Sequence, residues 1–187
     1  MVLRQALSPA ALSYREDGAE TVRKSVRQAA AAVKLRRTEG NSLMLRRGPY
    51  LIGAGLDESS PGGQSHVLRG RYLNLFDPDL TLLNTVTITP GSRMLLLDLN
   101  KIQAGVQKVV AAACRVSDEK NLGNTLNFRA DGIGSTNGIV RIAARGAPKE
   151  ILIGGKAVEA SAYDFSRGTV RLRFPNSVDP VSIEVRF

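Results

Sequence analysis

From Ser42 to the C-terminus, apolar positions recur with period two in short segments separated by turn formers. The last two segments carry the pattern most cleanly. Val170, Leu172 and Phe174 face one way with Arg171 and Arg173 opposite, and Val181, Ile183, Val185 and Phe187 alternate with Ser182, Glu184 and Arg186. Both read as strands buried on one face. If the two pair with each other antiparallel, Glu184 lies across from one of the arginines.

The same language runs through Arg46–Leu99. Gly48-Pro49 breaks the chain, Tyr50–Gly55 is a short apolar strand, and residues 57–63 (DESSPGG) are a loop of turn formers. His66–Phe76 is a β-rich segment stopped by Asp77-Pro78-Asp79. Thr85–Thr89 turns its threonines outward against Val86 and Ile88, and Thr89-Pro90-Gly91-Ser92 fits a type II turn. Met94–Leu97 is too apolar for a half-exposed strand and predicts burial on both faces. Further on, Val106–Val116 is an apolar run whose β-branched content favours strand. The polar segment Ser117–Asn124 reads as a seam between domains. Residues 131–138 are a long glycine-supplied connection, Ile139–Ala144 is a strand, and Gly154-Gly155 occupies the place of a two-residue hairpin turn.

Helical periodicity occurs once. Asp17 can cap, Glu20 takes the capping-box position, and Val22, Val26, Ala29 or Ala30, and Val33 form one narrow apolar stripe. A helix over about residues 18–35 follows, with small alanines that suit close approach to a sheet, while residues 1–16 read as irregular. The expected fold is therefore mainly β: one or two antiparallel β-sandwiches of jelly-roll or immunoglobulin-like type with one N-terminal amphipathic helix. We divide the chain into an N-terminal segment, 1–41, a first sandwich portion, 42–103, and a second, 104–187. One continuous two-sheet domain is nearly as good a description.

Composition changes this picture little. An apolar content of 43% is that of a globular protein. No apolar run approaches the ~18 residues of a membrane span, so no membrane partner is expected. The N-terminus lacks the unbroken apolar stretch of a signal peptide. The lone Cys114 excludes an intramolecular disulfide and reads as a buried thiol acting as a small hydrophobe, which leaves the compartment open. The net charge of +9 invites a nucleic-acid reading, but six of the nine excess charges fall in residues 1–50, three of them on the helix. A basic face on one helix is commonly solvated or docked on an acidic neighbour, so nucleic acid is not the expected partner.

Candidate chemistry is sparse. Sugar hydrolysis needs two carboxylates facing one another across the bond. Asp57-Glu58 is an adjacent pair of acids in a loop, and neighbours on a strand point to opposite faces, so it reads as a solvated loop pair. Asp77 and Asp79 read as turn initiators around Pro78, and Asp98 as a strand-end acid. His66 is the only histidine, too little for a zinc site or a Ser-His-Asp relay. Asp131 is the only acid in the 131–138 connection, short of an EF-hand ligand set, and Gly132-Ile133-Gly134 lacks the third glycine of a dinucleotide fingerprint. No cofactor, metal or catalytic residue is assigned. A sugar-binding surface would pair aromatic platforms with planar polar side chains. The candidates for it are Tyr50, Asp57, Glu58, Arg69, Arg71, Tyr72 and Asn74, with Tyr72 and Asn74 on one face of the long strand and Arg69 and Arg71 on the other. The same strand equally reads as a charged edge resisting aggregation.

With those residues in view, LRRGPYLIGAGLDES, LRGRYLNLFDPDL and VTITPGSRMLLLDL resemble the C-terminal portion of poorly characterised bacterial proteins related to glycoside hydrolases. The tail from Pro148 to Phe187, with GGKAV, YDFSRGTVRLRFPN and VSIEVRF, is similar to the C-terminal β-sandwich that follows the catalytic barrel in many glycosidases. The resemblance implies an accessory domain that braces a barrel or holds polysaccharide, in a parent protein that is itself a glycoside hydrolase. It carries no hydrolytic residue onto this chain, which is expected to lack catalysis on its own. The N-terminal helix would be a remnant of, or linker to, the missing catalytic region. The alternatives are a basic nucleic-acid or polyanion binder and a structural, adhesin-like sandwich.

Overall fold

The computed structural model describes residues 6–36, 40–56 and 65–187. They fall into two compact units, divided between Gly40 and Asn41. About the first unit the sequence was half legible. Helix α2 spans Gly18–Ala32, and a second, shorter helix α1, Pro9–Ser13, stands where irregular chain was expected. Ser8 caps α1 by accepting from Ala11 N at 3.2 Å, and Pro9 opens it without losing a hydrogen bond. Gly18 lets the two helices meet, since a Cβ there would lie 1.8 Å from the carbonyl oxygen of the buried Leu12. Asp17 precedes α2 but does not cap it, because Arg15 Nε and Nη2 claim its carboxylate at 2.8 and 2.9 Å. The helix ends three residues early. Lys34 turns left-handed (φ +57°), and Leu35 N bonds back to Ala30 O at 2.9 Å in a Schellman-type stop. Val22 and Val26 of the apolar stripe are 44% and 41% exposed.

The second unit is antiparallel β throughout. Strands β1 (Ser42–Arg47), β2 (Tyr50–Gly55), β3 (His66–Asn74), β4 (Leu82–Ile88) and β5 (Arg93–Asp98) form one sheet in the order β1-β2-β5-β3-β4. Residues 42–98 thus supply a single layer, and both layers of the sandwich come from residues 108–186. Leu96 and Leu97, on opposite faces of the central β5, are both buried as expected. Leu96 packs with Leu51, Tyr72 and Val86, and Leu97 with Leu73 and Leu99. The Gly48-Pro49 hairpin and the Thr89–Ser92 turn form where read, the latter closed by Ser92 N to Thr89 O at 3.1 Å. That second turn folds back on β2: Gly55 N donates to Ser92 O, and Gly91 N to Gly55 O. A Cβ at Gly55 would sit 1.8 Å from Thr89 O. Gly55→Ala is accordingly expected to cost about 1–3 kcal/mol in urea unfolding, because backbone, not a flexible side chain, must move.

The sandwich comprises two sheets. One holds β12 (Tyr163–Ser166), β13 (Thr169–Pro175), β9 (Asn137–Ala143) and β6 (Lys108–Ala112) in the order β12-β13-β9-β6. The other holds β11 (Lys156–Ala157), β10 (Glu150–Ile153), β14 (Val181–Arg186), β8 (Thr125–Asp131) and β7 (Arg115–Leu122) in the order β11-β10-β14-β8-β7. The fold class is therefore mainly β with antiparallel sheets, consistent with a β-sandwich. Leu126, Phe128, Val140, Ile142, Val170, Leu172, Ile183 and Val185 fill the space between the layers.

Three expectations change here. β13 and β14 do not pair; they lie in opposite layers, so their apolar faces meet across the core, and Glu184 sits beside Asn127 and Leu152 while accepting from Arg186 Nε at 2.6 Å. The Val106–Val116 run divides at Ala113-Cys114 into β6 and β7. Ser117–Leu122, read as a seam, belongs to the edge strand β7, and its polarity is that of an edge facing water. Gly154 and Gly155 both have positive φ (+56° and +78°), as a type I′ hairpin requires. Cys114 packs against the sandwich core, and burial pushes its thiol pKa up. Among the described residues no helix is long and apolar enough to cross a membrane.

Candidate functional site

Of the sequence candidates, the structure brings no group together. Tyr50 opens β2 and is 45% exposed, opposite Arg47 on one side and Leu97 on the other. Arg69 is exposed on β3, but the ladder to β4 shifts register between Arg69 and Tyr72. That irregularity separates Arg69 from Tyr72 but leaves Tyr72 and Asn74 on one face, paired with Asp98 and Leu96 of β5. Tyr72 is 5% exposed and belongs to the core with Leu51, Val86 and Leu96, so it is no surface platform. Asn74 is occupied locally, its Oδ1 accepting from Phe76 N at 3.1 Å. Asp57 and Glu58 lie outside the described residues. Arg71 is the candidate that reaches a cavity.

Arg71 leaves β3 toward the sandwich, donating from Nε to Asn100 Oδ1 (3.0 Å) and from Nη1 to the Arg167 carbonyl (2.8 Å). Beside it lies a cleft of about 190 Å³ between the 99–106 connection and the β9 and β13 ends at Ala143, Ala144, Gly168 and Thr169.

A second feature is the outer face of the β13–β9 pair. Arg171 and Arg141 are directly opposite each other, with Asp164 opposite Arg171 from β12. Arg171 Nε donates to Asp164 at 2.7 Å, and Arg141, 2% exposed, lies 3.8 Å from the same carboxylate. The residues following β3 fold onto this cationic face. Arg141 Nε donates to the Leu80 carbonyl at 2.8 Å, Arg173 meets Asp79 at 3.3 Å, and Arg167 meets Asn84. Desolvation lowers the pKa of Arg141, with Asp164 opposing it.

Two further carboxylates, Asp98 and Asp77, are committed to the scaffold. Asp98 is buried, pairs with Arg46 at 2.9 Å and accepts from Asn100 N. Asp77 accepts from Thr81 N (2.9 Å) and Asp79 N (3.0 Å), and these backbone bonds hold its pKa below the usual carboxylate range. A lowered folded pKa means stability that is present above the unfolded value, near ~3.9, and lost as pH falls through the folded one. The stability difference between the native chain and Asp77→Asn is expected to be larger at pH 7 than at pH 3, read by urea midpoints. A difference independent of pH would remove the charge from the account.

The third feature is apolar. On one face of the β1–β2–β5 portion, the cross-strand rows are Leu45–Ile52–Leu95 and Leu43–Ala54–Arg93, with Arg47 and Tyr50 in the next row. Leu43, Leu45 and Ile52 are 63%, 55% and 49% exposed, and Phe76, at 65%, lines a shallow cleft with Ile52, Ala54 and Leu95. Sequence reasoning missed this surface, because Leu43–Leu45 reads like any strand with a buried side. It also missed Arg141, although an arginine inside the apolar run Ile139–Ala143 carried the signal.

No family model matches the chain, and no curated protein matches it. Two solved structures are similar in part: a Flavobacterium johnsoniae GH31 dextranase complexed with glucose, and a mutant of the same enzyme complexed with isomaltotriose. Each gives a TM-score of 0.38 at 12% identity. Each match covers 74% of this chain and 26% of the dextranase, so the region matched is about a quarter of that enzyme's length.

Proposed function

We propose that this chain is an accessory β-sandwich module of a carbohydrate-active protein, working by docking on a catalytic domain and not by chemistry of its own. The observation that carries this reading is the exposed face of β1, β2 and β5. It is built mainly from aliphatic side chains (Leu43, Leu45, Ile52) with Tyr50 at its margin. A sugar platform needs stacked aromatic rings, whereas an aliphatic face at this exposure suits a protein partner. Arg47 and Arg93 stand in the same rows and no acid does, which favours a partner surface with acidic groups around an apolar centre. A second copy of this chain would set arginine against arginine. Asp77, Asp98 and Asp164 are each engaged in a turn or an ion pair, which fits a scaffold better than an acid–base dyad. The sequence resemblance to glycosidase C-terminal sandwiches points the same way.

Sedimentation velocity of the chain mixed with the glycosidase-type barrel encoded in the same or the adjacent gene tests the proposal. A 1:1 complex is expected, weakened at least tenfold by joint Leu45→Glu and Ile52→Glu substitution. It should be unchanged by Leu122→Glu, at a still more exposed leucine on the edge strand β7. Absence of a complex sinks the docking reading. Selective binding on a glycan array would move the assignment to polysaccharide, and salt-sensitive binding to DNA would move it to a polyanion.

A further inference from the structure

The cleft beside Arg71 combines three properties that nothing in the docking reading uses. First, it is cationic and free of acids: Arg71 lines it, and none of its lining residues is a carboxylate. Two further guanidiniums reach lining residues from behind. Arg145 Nε donates to Gly105 O at 2.8 Å, and Arg141 Nη1 to Thr169 Oγ1 at 3.4 Å. Second, Arg71 is held in place but not used up. Its Nε and Nη1 are fixed by Asn100 and the Arg167 carbonyl, and its Nη2 group has no protein acceptor among the described residues. A guanidinium pinned on one edge presents its remaining donors without paying to order the side chain. Third, the rest of the wall is mixed. Leu99, Ile102 and Val106 give an apolar side, and Gln103 is exposed with no hydrogen bond of its own among the described residues.

We infer that this cleft binds a small carboxylate-bearing ligand about the size of one sugar ring, such as a uronic acid unit. The carboxylate takes the free donors of Arg71, Gln103 meets a hydroxyl, and the apolar side meets the ring face. A volume near 190 Å³ is below that of drug-sized pockets, roughly 300–1,000 Å³, and suits one ring. The inference rests on the cleft and stands whether or not the apolar face docks a catalytic domain.

Calorimetric and NMR titrations of the full chain with glucuronate, glucose, acetate and phosphate test it. Glucuronate should bind and shift the amides of Gly105, Gly168 and Thr169, with glucose and acetate at least tenfold weaker. Gln103→Glu, which removes no hydrogen bond, should weaken glucuronate at least tenfold by placing a carboxylate in the cleft. Arg71→Lys, which keeps the charge but loses the planar fork, should also weaken it. The inference fails if glucuronate does not bind, or if glucose binds as well. It fails too if phosphate matches glucuronate, which would mark a bare anion hole, or if Gln103→Glu leaves the affinity unchanged.

Discussion

Replacing Phe128 by alanine should lower the unfolding free energy by about 3–5 kcal/mol, the largest single effect expected in the chain. Phe128 is 1% exposed in the middle of β8, opposite Ile183 of β14, and among the described residues no other fully buried side chain is larger. Truncation removes the transfer free energy of the ring and leaves a cavity that the neighbours can only partly fill. Both layers of the sandwich constrain them, because Leu172 and Val170 on the facing sheet are held by ladders to β9 and β12. Typical domains are stable by about 5–15 kcal/mol, so this one truncation would remove a large fraction of the total. Urea unfolding followed by far-ultraviolet circular dichroism should show a lower midpoint at unchanged slope. A loss under about 1 kcal/mol would mean the two sheets do not share one core.

Phe128 is also where the sequence spoke plainly. Leu126 and Phe128 alternate with polar neighbours, and the structure buries both. The pattern of β13 and β14 was equally legible strand by strand, yet it left open whether they pair, and they do not. Alternation reports which side of a strand is buried, not what lies on its other edge, and two consecutive strands in opposite layers give the same pattern as a hairpin. A similar limit hid the break at Ala113-Cys114, since small apolar residues suit either a strand or the turn between two strands. In β3 the failure was geometric. The register shift between Arg69 and Tyr72 precedes Tyr72 and Asn74, which keep a common face, but that face is the covered one and sets Tyr72 against Leu51 and Val86. Gly70 marks the spot, and a glycine inside a strand pattern is the signal of a bulge. The apolar face of β1 and β2 was not legible, because composition cannot separate a strand waiting for a partner from one already covered. The same blindness applies to the Arg71 cleft, assembled from residues nearly a hundred positions apart in sequence.

Arg141 is the second large effect, and the way its cost divides between two substitutions reveals what the residue does. Arg141→Ala should destabilise by about 3 kcal/mol, because it both empties a buried site and strips the Leu80 carbonyl of its donor. Arg141→Met keeps most of the volume and removes a charge that burial opposes. Asp164 does not become an orphan, since Arg171 Nε still holds it at 2.7 Å. The remaining loss is then mainly the Leu80 hydrogen bond, about 1–2 kcal/mol. That loss should be local before it is global. Amide exchange at Leu80 and Thr81, whose N–H groups bond Asp77, should accelerate in Arg141→Met while amides of β8 and β14 stay protected. Equal costs for the two substitutions would make the hydrogen bond dominant and the volume irrelevant. Uniform acceleration across β8 and β14 would show that residues 77–81 and the sandwich unfold as one unit, with Arg141 acting as part of a common core.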